Sequence, residues 1–108
     1  MSTVVNTNDV LQILDSSAGD TGATFTLLNR ALAKGKGSYV DVEIGAGDTV
    51  VLEGKLVSAN TFTTIATFTA DTLVEVDLPT IFRARRTVDG GGADTTVAIQ
   101  SPGTIEYI

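Results

Sequence analysis

The chain has 108 residues, of which 43% are hydrophobic and 19% charged, and its formal net charge is −6, with no cysteine and no histidine. This length fits one domain with a modest core, and the hydrophobic content argues against intrinsic disorder. Lack of histidine removes the commonest general base and zinc ligand, and lack of cysteine removes disulfide and thiol chemistry. The acidic balance disfavours nucleic acid as a partner, because phosphate recognition needs concentrated positive charge.

The first nine residues are small and polar, which predicts a flexible N-terminal arm over 1–9 and a single domain over 10–108. The N-terminus lacks the basic region and apolar core of a secretory signal, so we expect synthesis in a cytoplasm. No apolar run approaches the roughly 20 residues that a membrane helix needs. We therefore expect no membrane partner.

Short strands divided by polar turns begin at residues 10–14. Alternating apolar residues continue the pattern over 23–29 and 38–44, with Tyr39 on the charged face of the latter. Residues 27–34 contain good helix formers, but they support at most two helical turns. We interpret that segment as a strand running into a long loop with a possible single helical turn.

The clearest β pattern lies between residues 49 and 90. Alternation in 50–56 and 73–78 places apolar side chains on one face, with Glu53 and Glu75 on the charged face. The intervening turns are built from residues that tolerate tight backbone, so neighbouring strands are expected to pair antiparallel.

Phe62 and Phe68 flank a threonine-rich strand in which Ile65 has the opposite parity. Leaving Ile65 exposed would cost apolar burial, so we predict a β-bulge near Thr63 and Thr64 that turns it inward. Ile65 is then expected to face inward together with one of the phenylalanines, and we predict that Phe62 is an aromatic plug of the core.

Strands over 81–88, 95–100 and 104–108 complete the pattern, which gives eight or nine strands without a long intervening helix. Such spacing is typical of a sandwich or a small barrel, and it argues against a parallel βαβ sheet. The predicted fold is an all-β antiparallel sandwich of about eight strands.

Asp20-Thr21-Gly22 resembles the signature of aspartic proteases, in which two carboxylates share a proton across a dimer. In that family a hydrophobic strand directly precedes the motif, whereas here 16–19 are small residues. A surface loop is therefore the favoured interpretation, and a dimeric protease using Asp20 is a remote alternative.

The loop from Asp89 to Asp94 offers two carboxylates to a calcium ion, which prefers six to eight oxygen ligands. No bidentate glutamate follows, so a flexible hairpin connection is favoured. Residues 45–48 form a plain turn, since no helix follows to direct amides at a phosphate. We expect no catalytic residue, metal or cofactor.

Arg83, Arg85 and Arg86 form the only dense basic cluster, and alternation sends Arg86 to the face opposite the other two. Intramolecular pairing with Asp77 or Glu75 is one interpretation. The other makes the three arginines anchors of a subunit interface, because guanidinium groups are favoured there.

The order of strands, turns and an aromatic-Arg-Ala-x-Arg segment across 50–55, 60–68, 73–79, 82–86 and 90–99 resembles small structural proteins of tailed-phage virions. That resemblance implies a β-sandwich, jelly-roll-like, used in capsid decoration. It implies a non-enzymatic cement protein on the capsid surface of a bacteriophage virion, a homotrimer whose partner is the major capsid protein shell. The alternative is a carbohydrate- or receptor-binding module of a tail or baseplate.

Overall fold

A computed structural model describes residues 3–5, 9–28 and 37–108 of the chain. Within those ranges all regular structure is β. The ten strands are β1 (Thr3–Val5), β2 (Val10–Asp15), β3 (Phe25–Leu28), β4 (Ser38–Glu43), β5 (Thr49–Lys55), β6 (Thr63–Phe68), β7 (Thr72–Val76), β8 (Ile81–Val88), β9 (Thr96–Gln100) and β10 (Thr104–Tyr107).

The strands form two antiparallel sheets, one with the order β1-β10-β3-β8-β5-β6 and one with the order β2-β9-β4-β7. Without β1 and β10, the two orders are 3-8-5-6 and 2-9-4-7. This is the arrangement of a jelly roll, in which two Greek keys place alternate strands in opposite sheets. The predicted jelly-roll-like sandwich is confirmed.

Antiparallel pairing is confirmed, but the strands that pair are seldom neighbours in sequence. Among the strands of residues 3–5, 9–28 and 37–108, only β5 and β6 are consecutive and hydrogen-bonded to one another. The connections at 69–71 and 89–95 cross from one sheet to the other, so the hairpin predicted at Asp89 to Asp94 is wrong. The residues of a turn indicate where the chain changes direction. They do not indicate which strand becomes the hydrogen-bonded partner, because that choice depends on the apolar surfaces that the two sheets bury against each other.

The core lies between the two sheets and is formed by the inward side chains of most strands. In β4 alternate residues are buried and exposed, and in β3 Phe25 and Leu27 are buried, as the alternation predicts. The largest fully buried apolar side chains are Phe25, Phe82, Leu52, Leu78, Ile99 and Ile105.

Two predictions concern segments that are described only in part. Thr3–Val5, within the stretch expected to be a flexible arm, form β1 and pair with β10. The helical turn considered over 27–34 falls largely outside the described residues.

A β-bulge interrupts the pairing of β5 with β6, as predicted, and its extra residue is Ile65. The Ile65 side chain is nevertheless 38% exposed, so its predicted burial is wrong. The end of the Ile65 side chain lies against Gly54 of β5, because a Cβ atom added to Gly54 would be 2.9 Å from Ile65 Cδ1. Phe68 is buried in the core. Phe62 is not a core plug: it precedes β6, is only partly buried, and contacts charged side chains instead.

Candidate functional site

Strand β5 is buried on both faces, and Glu53 on its outer face is the reason that simple alternation fails there. The Glu53 side chain is 5% exposed and accepts hydrogen bonds from Arg83 Nε at 2.6 Å and from Arg85 Nε at 3.2 Å. Burial raises the pKa of the Glu53 carboxyl, but the hydrogen bonds from Arg85 and Arg83 outweigh it and hold the pKa below its ordinary value. The charged face predicted from the sequence is thus a compact ion-paired layer.

The Phe62 ring belongs to the same layer. Its centroid lies 3.9 Å from Arg83 Cζ and 4.5 Å from Lys55 Nζ, which are cation–π distances. Lys55 Nζ also donates to the carbonyl oxygens of Ser58 and Asn60, so the loop before β6 is held against the sheet. We call Lys55, Phe62, Arg83 and Arg85 the basic face of the protein.

Arg86 points to the opposite side of β8, as predicted, and meets three aspartates. Its Nη2 atom lies 2.6 Å from Asp20 and 3.3 Å from Asp89, and its Nη1 atom lies 3.3 Å from Asp48. These carboxylates come from three loops at one end of the sandwich. The hydrogen bonds to Asp20 in particular raise the pKa of the Arg86 guanidinium. Arg86 therefore links the three loops through ion pairs with their aspartates.

Asp48 is the buried member of this group, with 1% of its side chain exposed. It accepts hydrogen bonds from the Gly90 amide and the Thr95 hydroxyl, both at 2.7 Å. The amide of Gly90 and then the hydroxyl of Thr95 hold the pKa of Asp48 below its ordinary value, against the effect of burial. Thr95 in turn donates its amide to Ser16 Oγ, so the network ties β9 to two loops.

Intramolecular pairing of the arginines is therefore observed, but the predicted partners were wrong. Glu53, Asp20, Asp48 and Asp89 meet the arginines, whereas Glu75 lies on β7 in the other sheet and Asp77 lies in the connection from β7 to β8. The strands that flank β8 are β3 and β5, which the order of strands in sequence does not reveal.

Asp20 lies in an exposed loop, as expected from its sequence context. Its side chain is 58% exposed, and Oδ1 accepts two hydrogen bonds from Arg86. Its backbone carbonyl accepts another from the Arg86 amide at 2.7 Å. Asp20 thus anchors its loop to β8.

The loop from Asp89 to Asp94 connects the two sheets. Asp89 accepts from the Gly91 amide and contacts Arg86, while Asp94 accepts from Ser16 Oγ. Among the described residues no group of three or more acidic side chains is placed to hold a metal ion.

The outer face of the four-stranded sheet is a surface that the sequence analysis did not single out. Val10, Tyr39 and Leu73 on this face are 67%, 51% and 70% exposed. They surround a shallow cleft of about 160 Å³ that Asp41 and Gln100 also line. The outward positions of β4 and β7 add Glu43 and Glu75. We call Val10, Tyr39, Asp41, Glu43, Leu73 and Glu75 the acidic face.

The signal for this face is present in the sequence but is distributed over distant segments. Tyr39 and Leu73 stand at outward parity in their own strands, yet only the pairing of β4 with β7 and β9 brings them together with Val10.

Comparison with known protein families, curated proteins and solved structures finds no match to this chain. Among the described residues there is no helix of the length and apolarity needed to cross a membrane. The functional argument rests on the geometry of the chain itself.

Proposed function

We propose that this chain is a non-enzymatic structural protein of a tailed-phage virion, namely a capsid decoration (cement) protein that binds the head shell as a homotrimer. The acidic face carries the proposal, because it exposes three large apolar side chains on the outer side of one sheet. Apolar side chains grouped on a surface favour interaction with another protein.

The polar groups of the chain favour the same interpretation, since they are engaged in holding the fold together. Within the described residues every buried side-chain nitrogen or oxygen atom has a hydrogen-bond partner. Arg86 and Asp48 link loops, and Glu53 links β5 to β8. This is the pattern of a rigid scaffold whose function is presented on its outer surfaces.

A cement protein gains from such rigidity. A face that is formed by paired strands loses little conformational freedom when it docks, which reduces the entropic cost of binding. Weak contacts that are repeated at symmetric sites then add up to stable attachment. The jelly roll is also a fold that capsid proteins use.

A tail or baseplate module that binds carbohydrate or a receptor is the second candidate. The exposed Tyr39 ring stands beside the cleft with Asp41 and Gln100. An aromatic ring can stack on the apolar side of a sugar while polar groups bind its hydroxyls.

Immunogold electron microscopy separates the two candidates. Antibodies raised against the purified protein should label the heads of phage particles in lysates of the host that carries the gene. Labelled tails would favour the receptor-binding module, and particles without label would contradict both. A glycan array provides the second readout: the cement proposal predicts no binding, and Tyr39→Ala should abolish any binding that is found.

A further inference from the structure

The strands of the two sheets differ in charge. Those of the four-stranded sheet carry four acidic residues and no basic residue. Those of the six-stranded sheet carry four basic and two acidic residues, of which Arg86 points inward to three aspartates and does not contribute to the outer face. The sheets pack against each other through their inner sides, so the acidic face and the basic face look out from opposite sides of the sandwich.

Each face also combines its charge with apolar surface. On the acidic face Tyr39 and Leu73 stand beside Asp41 and Glu75 in neighbouring positions of β4 and β7. On the outer face of the six-stranded sheet the basic residues Lys55, Arg83 and Arg85 outnumber the acidic residues Glu53 and Glu106 by one. The partly exposed Phe62 ring lies among the cations.

We propose that the acidic face of one copy docks on the basic face of a second copy. The inference goes beyond the proposed function, because a contact between opposite sides of the sandwich is separate from the contact that closes a trimer. Charge complementarity selects a second copy as the occupant, because this chain itself carries a basic surface with an aromatic ring at its centre. A neutral sugar fits the acidic face less well than a second copy, because it brings no positive charge to the carboxylates.

The contact is heterologous, since two different surfaces meet and each docked copy keeps one face unused. Because the two faces lie on opposite sides of the sandwich, this contact adds copies in an open series.

Two variants block one face each at exposed positions. Leu73→Arg adds a positive charge to the acidic face. Replacing Thr64 and Thr67 with glutamate adds negative charge to the outer face of β6, in the rows of Arg83 and Arg85. Val88→Arg is the matched control, because Val88 is an exposed apolar residue at the end of β8, outside both faces.

Sedimentation velocity over a range of concentrations tests the contact. We expect the wild type and Val88→Arg to associate, with weaker association at about 0.5 M salt than at about 0.05 M salt because screening reduces charge attraction. Each blocking variant should need at least about tenfold higher protein concentration to associate, a change equivalent to about 1.4 kcal/mol.

Mixing the two blocking variants is the decisive experiment. The Leu73→Arg copy keeps its basic face and the glutamate variant keeps its acidic face, so an equimolar mixture should form dimers of one copy each and nothing larger. A wild type that stays monomeric at all concentrations overturns the proposal, as do variants that associate normally or fail to complement each other. A negative result here leaves head labelling untouched, so the docking contact and the virion role fail separately.

Discussion

Phe62 shows how the outer layer of the six-stranded sheet contributes to stability at the level of one residue. We expect Phe62→Ala to lower the free energy of unfolding by about 1–2 kcal/mol, because each exposed cation–π contact is worth about 0.5–1 kcal/mol and the ring is only partly buried. Phe82→Ala in the core should cost about 3–5 kcal/mol. Urea denaturation measures both, and equal losses would contradict the placement of Phe62 outside the core.

Asp48 makes stability depend on pH. Its pKa in the folded protein lies below the ordinary value of 3.8, so its ionised form is favoured by folding. Its contribution is fully present above about pH 4 and is lost as the pH falls through the folded pKa. We expect Asp48→Asn to be less stable than the wild type at neutral pH and to lose less stability on acidification below pH 3.8.

Urea midpoints measured at a series of pH values check this expectation. Asp9→Asn removes one negative charge at an exposed position and serves as the control. Glu53, whose pKa is also lowered, adds acid sensitivity that both variants retain. Parallel pH profiles for the wild type and Asp48→Asn would show that Asp48 does not carry the effect.

At the scale of the element, sequence alternation predicts a strand well when one of its faces meets solvent. The inward residues of β3 and β4 were predicted in this way, and so was the bulge at Ile65. The outer face of β5 was not, because arginines from β8 and the ring of Phe62 cover it. A period-two pattern describes only a single strand, whereas Arg83, which covers Glu53, lies 30 positions away in sequence.

The same limit applies to the candidate site. The opposite directions of Arg85 and Arg86 follow from parity and were predicted. Their partners Glu53 and Asp48 depend on the jelly-roll strand order, which the turns do not encode. The acidic face likewise exists only once β7, β4 and β9 are paired.

The connection between β8 and β9 depends on close backbone packing at Gly90. A Cβ on Gly90 would lie 2.2 Å from the Ala46 carbonyl oxygen and 2.6 Å from Gly47 Cα. Both are backbone atoms, so relief requires movement of the 45–48 turn. We expect Gly90→Ala to cost about 1–3 kcal/mol or more, as overpacking does.

Gly92→Ala is the matched control in the same connection, because its Cβ would meet Ala46 at 3.3 Å or beyond. We expect a change within about 0.5 kcal/mol for this variant, as at a typical surface position. Thermal and urea unfolding of the two variants compare them directly. A neutral Gly90→Ala would mean that the two connections do not pack against each other.

At the scale of the whole molecule, the C-terminal strands complete both sheets. β9 lies between β2 and β4, and β10 lies between β1 and β3. Val97, Ile99 and Ile105 are almost completely buried. Since most strand pairs join distant parts of the sequence, folding should be slow for a chain of this size, on the order of milliseconds to seconds.

A chain truncated after Asp94 should therefore fail to fold. It lacks β9 and β10, which leaves β2 without its hydrogen-bonded partner strand and removes one of the two partners of β4 and of β3. The buried side chains of Val97, Ile99 and Ile105 contribute about 2 kcal/mol each, or about 6 kcal/mol together, which is already comparable with the margin of about 5–15 kcal/mol that a domain has. Their partners in the core lose burial as well. Far-ultraviolet circular dichroism and amide dispersion in NMR spectra measure the result. Removal of the exposed Ile108 alone is the control and should leave the fold intact. Cooperative unfolding of the chain truncated after Asp94 would show that residues 1–94 hold a core of their own, and the jelly roll would not be one folding unit.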